Sequence, residues 1–170
     1  VVNNGTFPTV ATVTVIPIIE NLGVSCSGPI QTFTVTVNGN VDDQEDISNY
    51  NGFEISCFEA NDGYINLNPI GGTPYQAGSE YVYSWTGPNG FTSVLEDIQN
   101  LQFGNYSYDV IDQNGCSLNS PNINFRNVYI AEPPQITVSS NVTLIDCYGN
   151  TNGSIDLNIS GISGIPDILW

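Results

Sequence analysis

The sequence predicts an all-β protein made of tandem immunoglobulin-like sandwich modules, one complete and two partial. Three observations carry this. Residues 57–71 recur at 147–161, so that Cys57, Gly63, Ile65, Leu67, Asn68 and Gly71 return as Cys147, Gly153, Ile155, Leu157, Asn158 and Gly161. The spacing of 90 residues is about the size of one sandwich domain. Runs of β-branched residues alternating with period two are separated by clusters of Gly, Pro, Asn and Asp, the pattern of short strands and tight turns. Finally, Tyr81, Tyr83 and Trp85 share one face of a strand, which suits the central strand of such a sandwich with its buried Trp.

Taken in order, residues 9–18 and 30–37 alternate β-branched side chains around a stretch dense in turn formers, 21–29. Residues 1–40 therefore read as the last hairpin of a module. Residues 41–52 hold Asp42, Asp43, Glu45 and Asp46, the densest charge in the chain, and read as an acidic linker. The complete module is expected at 53–134. Its first strand is 53–58, followed by an Asn-Asp-Gly turn and a second strand at 64–70 with Ile65 and Leu67 on one face. After the Tyr81–Trp85 strand comes a Gly-Pro-Asn-Gly turn at 87–90, and Val94, Leu95, Ile98 and Leu101 fall at helix-like spacing, a short crossing between late strands. Residues 104–112 form the penultimate strand, with Tyr106 where a tyrosine corner sits. Gln113-Asn114-Gly115 is an Asn-Gly hairpin turn and Cys116 opens the last strand. Residues 135–170 begin a second repeat, with Trp170 at the equivalent of Trp85. Both ends look cut, so the expectation is a window on a longer array.

Seventeen acidic residues face a single cation, Arg126, for a formal charge of -16. Nucleic acid is excluded as a partner, because neutralising phosphate needs Lys and Arg, and an anionic membrane surface fails for the same reason. No apolar run approaches the roughly 20 residues that span a bilayer. The acidity keeps chains apart in solution. A sharper reading makes Asp42, Asp43, Glu45 and Asp46 a calcium site, since several carboxylates within a few residues meet a hard cation's needs, although the run is not in register for an EF-hand. Beyond calcium, no cofactor is expected. Four scattered cysteines without histidine argue against zinc and for disulfides in an oxidising compartment.

The motifs Cys-x5-Gly-x-Ile-x-Leu-x3-Gly-Gly-Thr-Pro-Tyr, Tyr-x-Trp, Gly-Asn-Tyr-x-Tyr-x-Val-x-Asp-x-Asn-Gly-Cys and Glu-Pro-Pro, in that order, resemble the SprB-type repeat of gliding-motility adhesins and other large surface proteins of the Bacteroidota. The stretch Val-Ser-Cys-Ser-Gly-Pro before a Thr-Phe-Thr-Val-Thr-Val strand looks like the end of a PKD-like module. The resemblance implies PKD- or fibronectin-III-like sandwiches, export by type IX secretion, and display on the cell surface in filaments that contact a substratum. It carries over no catalytic residue. The loop at 75–79 and the extended last strand around Pro121 depart from the common pattern.

Two pairings stay open for the cysteines. Cys57 and Cys116 can close one module. Alternatively, in a seven-strand topology they sit at opposite poles, separated by strands of about 20 Å where a disulfide tolerates up to about 7 Å between Cα atoms, and each bridge then staples neighbouring modules. Cys26 and Cys147 are expected to lack partners in either case. With no His or Lys, catalysis has only carboxylates to draw on, and the expected role is a non-catalytic, extracellular, adhesive array whose partners are its neighbouring modules and a surface polysaccharide or substratum. The alternative is a carbohydrate-binding module using Tyr75, Tyr81 or Trp85, aromatics that would then be exposed and coplanar.

Overall fold

The computed structural model describes residues 2–73, 81–118, 125–162 and 166–169. Among them the regular structure is strand, apart from a single 3-10 turn at Pro88–Gly90. The chain opens with a long two-stranded ribbon in which β1 (Thr9–Val15) pairs with β4 (Gln31–Val37) and β2 (Ile18–Asn21) with β3 (Val24–Ser27). Val15 pairs with Gln31 but Ile18 with Ser27, so the return strand carries one extra residue, a bulge at the Pro17 and Gly28 level. Leu22 and Gly23 turn the ribbon with φ of 52° and 81°, the two left-handed residues of a two-residue hairpin loop. The segment expected as a loop at 21–29 is thus largely strand, because this tight turn consumes only two of its residues.

The middle of the chain forms a two-layer sandwich. One sheet has the order β5 (Val41–Ile47), β6 (Gly63–Gly71), β9 (Ile98–Leu101). The other has the order β11 (Arg126–Ile130), β10 (Gly104–Ile111), β7 (Val82–Thr86), β8 (Thr92–Ser93), and all neighbours are antiparallel. This arrangement matches the A-B-E and G-F-C-C′ sheets of an immunoglobulin-like fold. The first sheet contributes Val41, Ile65, Leu67, Ile98 and Leu101 to the core, and the second Trp85, Tyr106, Tyr108, Val110, Val128 and Ile130. The period of two is visible in β10, where Tyr106, Tyr108 and Val110 are buried while Ser107, Asp109 and Ile111 between them are not. Each fully buried large apolar side chain contributes about 1.5–3 kcal/mol, so this core is where the stability of the module resides.

Three expectations are corrected here. The acidic stretch is no linker over 41–47: it is β5, paired residue for residue with β6 from Val41–Gly71 to Ile47–Ile65. Val41 and Ile47, six positions apart, lie on the inward face, and the charges between them hid that pattern. Residues 53–58 form no strand, so the sandwich begins at Val41 rather than at 53; they cross one end of the module, with Ile55 fully buried and the amides of Glu54 and Ile55 donating to Ala131 O at 3.1 and 3.3 Å. The helix-like spacing of 94–101 gives no helical turn: 94–97 bend across from β8 to β9, the crossing that was expected, with Ile98 and Leu101 buried and Val94 and Leu95 exposed.

After the sandwich, β12 (Thr137–Thr143) pairs with β13 (Ser154–Ser160) in a hairpin whose β12 side chains are all exposed. This hairpin repeats β5–β6 in detail. Ala60 N donates to Cys57 O at 3.0 Å and Asn150 N to Cys147 O at 3.1 Å. Ser56 N donates to Asp62 Oδ1 at 3.1 Å and Asp146 N to Asn152 Oδ1 at 3.5 Å. Gly71 (φ 80°) lies so close to Asn40 O that a Cβ would stand 2.1 Å from it, and Gly161 (φ 78°) meets Gln135 O at 2.0 Å in the same way.

Candidate functional site

The densest chemistry lies at the seam where β5, an edge of the first sheet, faces the β10–β11 side of the second. Alternation along β5 sends Asp43 and Glu45 toward the second sheet, together with Val41 and Ile47. Tyr108 arrives from β10, held in place by its ring stacked on Trp85 with centroids 4.6 Å apart. Its hydroxyl contacts both Asp43 Oδ2 and Glu45 Oε1. From β11, Arg126 places a guanidinium nitrogen 3.0 Å from Asp42 Oδ1 and 3.7 Å from Asp43 Oδ1. The Asp43 side chain is only 1% exposed. Burial, the leading influence, raises its carboxyl above the ordinary 3.8, against the opposing pull of the Tyr108 hydrogen bond and of Arg126. Burial also pushes the Tyr108 phenol far up, reinforced by its two carboxyl neighbours.

This geometry bears directly on the calcium expectation. Asp42, Asp43, Glu45 and Asp46 alternate across a strand instead of curling around a point. Among the described residues no group of three or more carboxylate or thiol side chains is arranged to hold a metal ion. Asp42 and Asp43 turn instead to Arg126, and Asp46 accepts a long 3.4 Å bond from Asn66 Nδ2. Of the four, Asp42 and Asp43 meet a cation of the chain itself.

A second cluster closes the pole where β5 begins. Asp112, 1% exposed, accepts the amide of Thr73 at 2.9 Å through Oδ2 and those of Asn114 and Cys116 at 2.9 and 2.7 Å through Oδ1. Gln113 N adds a 2.9 Å bond to Thr73 O. The Asp-x-Asn-Gly-Cys motif is therefore an exposed turn anchored by the buried Asp112, which ties it to the Gly-Gly-Thr end of β6. Cys116 belongs to this pole. Cys57 belongs to the opposite one, where Glu59 N donates to Glu132 Oε2 at 2.9 Å and Ala131 N to Glu54 Oε2 at 2.8 Å. All four cysteines are free and exposed, so the closure of one module by Cys57 and Cys116 is overturned. Burial, the charge of Asp112 and a hydrogen bond to it push the Cys116 thiol upward. Nor does Cys116 open the last strand; Ser117 makes an isolated bridge to Ile111, and β11 starts at Arg126.

Of the three aromatics offered for sugar stacking, Trp85 and Tyr81 form no exposed platform. Trp85 is 2% exposed and donates its indole N–H to Leu95 O at 2.8 Å. Tyr81 is half-buried, its hydroxyl donating to Gly71 O at 2.9 Å. Tyr75 lies outside the described residues, as do Trp170, Pro121 and the loop at 75–79. A different surface carries aromatic and polar groups together: an open groove of about 600 Å³ beside β6, β8 and β9, lined among others by Tyr64, Asn66, Phe91, Asp97 and Gln99.

Tyr106 fulfils the expected tyrosine corner, buried and donating its hydroxyl to Gln102 O at 3.1 Å. Tyr108, Asp112 and the role of Arg126 escaped the sequence reading. The signal available for Tyr108 was its place two residues after the corner tyrosine, where antibody-type domains carry a core cysteine. Comparison with known proteins finds no family model, no curated relative and no solved structure that matches this chain.

Proposed function

We propose that this chain is a non-catalytic structural and adhesive segment of a large cell-surface protein, an array of immunoglobulin-like modules in which residues 41–134 form one whole module. The observation that carries the reading is the reproduction of the β5–β6 hairpin in β12–β13, down to the Cys57 and Cys147 turns and the glycines at 71 and 161. Modules repeated in series supply length and spacing, and strong acidity keeps neighbouring filaments apart. The SprB-type motifs support extracellular display and a role in surface attachment or gliding, with a substratum or polysaccharide as the contact. Antibodies raised against residues 41–134 should label intact cells that make the parent protein, and deleting this segment should reduce attachment. Labelling only after permeabilisation would overturn the reading.

A carbohydrate-binding role is the second reading, and the groove with Tyr64, Phe91, Asn66, Asp97 and Gln99 favours it, since sugar recognition combines an apolar face with a few placed hydrogen-bonding groups. Binding on a glycan array that Tyr64→Ala abolishes would support it, and a blank array from folded protein would remove it.

A further inference from the structure

The hydroxyl of Tyr108 has one proton to donate and two carboxyl oxygens against it. An ionised carboxylate only accepts hydrogen bonds, so two ionised acids on one phenol leave one oxygen pair in contact with no proton between them. We propose that Asp43 and Glu45 share one proton through Tyr108, making the seam between the two sheets a proton-binding site: Asp43 donates to the phenol oxygen, and the phenol donates to Glu45.

The assignment of the proton to Asp43 follows from its surroundings. Its side chain is 1% exposed and its Oδ1 receives no hydrogen bond, whereas Glu45 is exposed. An ionised oxygen without a hydrogen bond in a core is very costly, whereas the carbonyl oxygen of a neutral carboxylic acid costs far less to leave alone. Glu45 is open to water, which can supply the hydrogen bonds that Asp43 Oδ1 lacks. Among the described residues, the charged and titratable groups that act on Asp43 come from three strands. From β5 they are Asp42 and Glu45, from β10 Tyr108, and from β11 Arg126, which is itself half-exposed and nearer to Asp42 at 3.0 Å than to Asp43 at 3.7 Å. The inward neighbours on β6 are Ile65, Leu67 and Pro69, none of which titrates. In β12 the register positions of Asp43 and Glu45 hold Val138 and Ser140, so the proton site is a property of this module and not of the repeat.

The consequence has a definite sign. A carboxyl raised on folding contributes stability that is fully present below the ordinary value of 3.8 and is lost as pH rises through the raised value. The module is therefore tightened by mild acid. General relief of self-repulsion in a chain of charge -16 acts in the same direction, so the test compares variants.

Carboxyl carbon NMR of the 170-residue chain should show Asp43 titrating above its exposed carboxylates, and Glu45→Gln should lower that midpoint, since Tyr108 can then donate to Asp43 while the amide donates to Tyr108. Asp43→Asn, which imitates the protonated acid, should leave neutral-pH stability unchanged or higher and remove part of the rise in urea midpoint between neutral pH and 3.8. Asp43 titrating with the exposed acids, an Asp43 midpoint unmoved by Glu45→Gln, or an Asp43→Asn variant weaker at neutral pH with the full acid response would each overturn the proposal.

Discussion

Tyr108 and Trp85 are direct partners across β10 and β7, and their rings meet at 4.6 Å with a tilt of 32°. Antibody-type domains put a cysteine two residues after the tyrosine corner and pack the strand C Trp on the resulting disulfide. Here a second tyrosine takes that position: its contact with Trp85 lies within one sheet, and its polar reach to Asp43 and Glu45 on β5 is what crosses to the other. Trp85→Ala should therefore cost about 3–5 kcal/mol in chemical denaturation. A loss under 1 kcal/mol would mean that the pair is not the centre of the core.

Asp112→Ala should release the turn at 113–116 from the end of β6. It orphans three amides at once, those of Thr73, Asn114 and Cys116. With each buried unpaired group costing about 1–3 kcal/mol, partly recovered by water, a loss of about 3 kcal/mol is expected. Hydrogen exchange should quicken at Thr73 and Cys116 before it does in Tyr106 or Val110.

Gly71→Ala should be far worse than Gly90→Ala. Both residues have positive φ, at 80° and 79°, but a Cβ at 71 would meet Asn40 O at 2.1 Å while 90 opens on empty space. The second change should cost about 1 kcal/mol. The first forces the backbone entry to β5 apart and should cost more than about 2 kcal/mol by thermal or urea unfolding.

The legible part of the sequence was its periodicity. Alternation placed Ile65, Leu67, Trp85 and Tyr106 inside, and the recurrence of Cys57 and Gly71 located the duplicated hairpin. What stayed hidden shares one physical cause: the deciding partner is remote in sequence. Asp43 reads as linker charge until Tyr108, 65 residues on, is placed above it. Arg126 reads as an incidental cation until it closes on Asp42 across 84 residues. Asp112 looks like a turn residue until Thr73 is brought to it. Local patterns report which face is buried; they do not report which polar group waits there.

Thiol counting should find four reactive cysteines in freshly purified, unoxidised native protein. Alkylation of Cys116 should lag behind that of a free cysteine at the same alkaline pH, because its raised thiol supplies less thiolate. Equal rates would show that burial and Asp112 together do not raise the thiol.

Asp42 and Arg126 are both about half exposed, so their 3.0 Å pair should matter little by itself, within about 1 kcal/mol. Asp42→Asn should therefore be nearly neutral and insensitive to added salt, and a larger loss would show that Arg126 depends on Asp42 for its position.

The chain enters the sandwich at the Val41 end of β5 and leaves it at Ala131, beside the opposite end of that strand. A pull applied along the polypeptide would thus draw β5 lengthwise past β6. Its seven paired positions would be loaded together in shear and not peeled one after another. Parallel loading is the mechanically resistant way to arrange hydrogen bonds, and the crosspiece from Tyr108 and Arg126 braces the same strand from the other sheet. The acids on β5 thus sit on the element that would first feel tension.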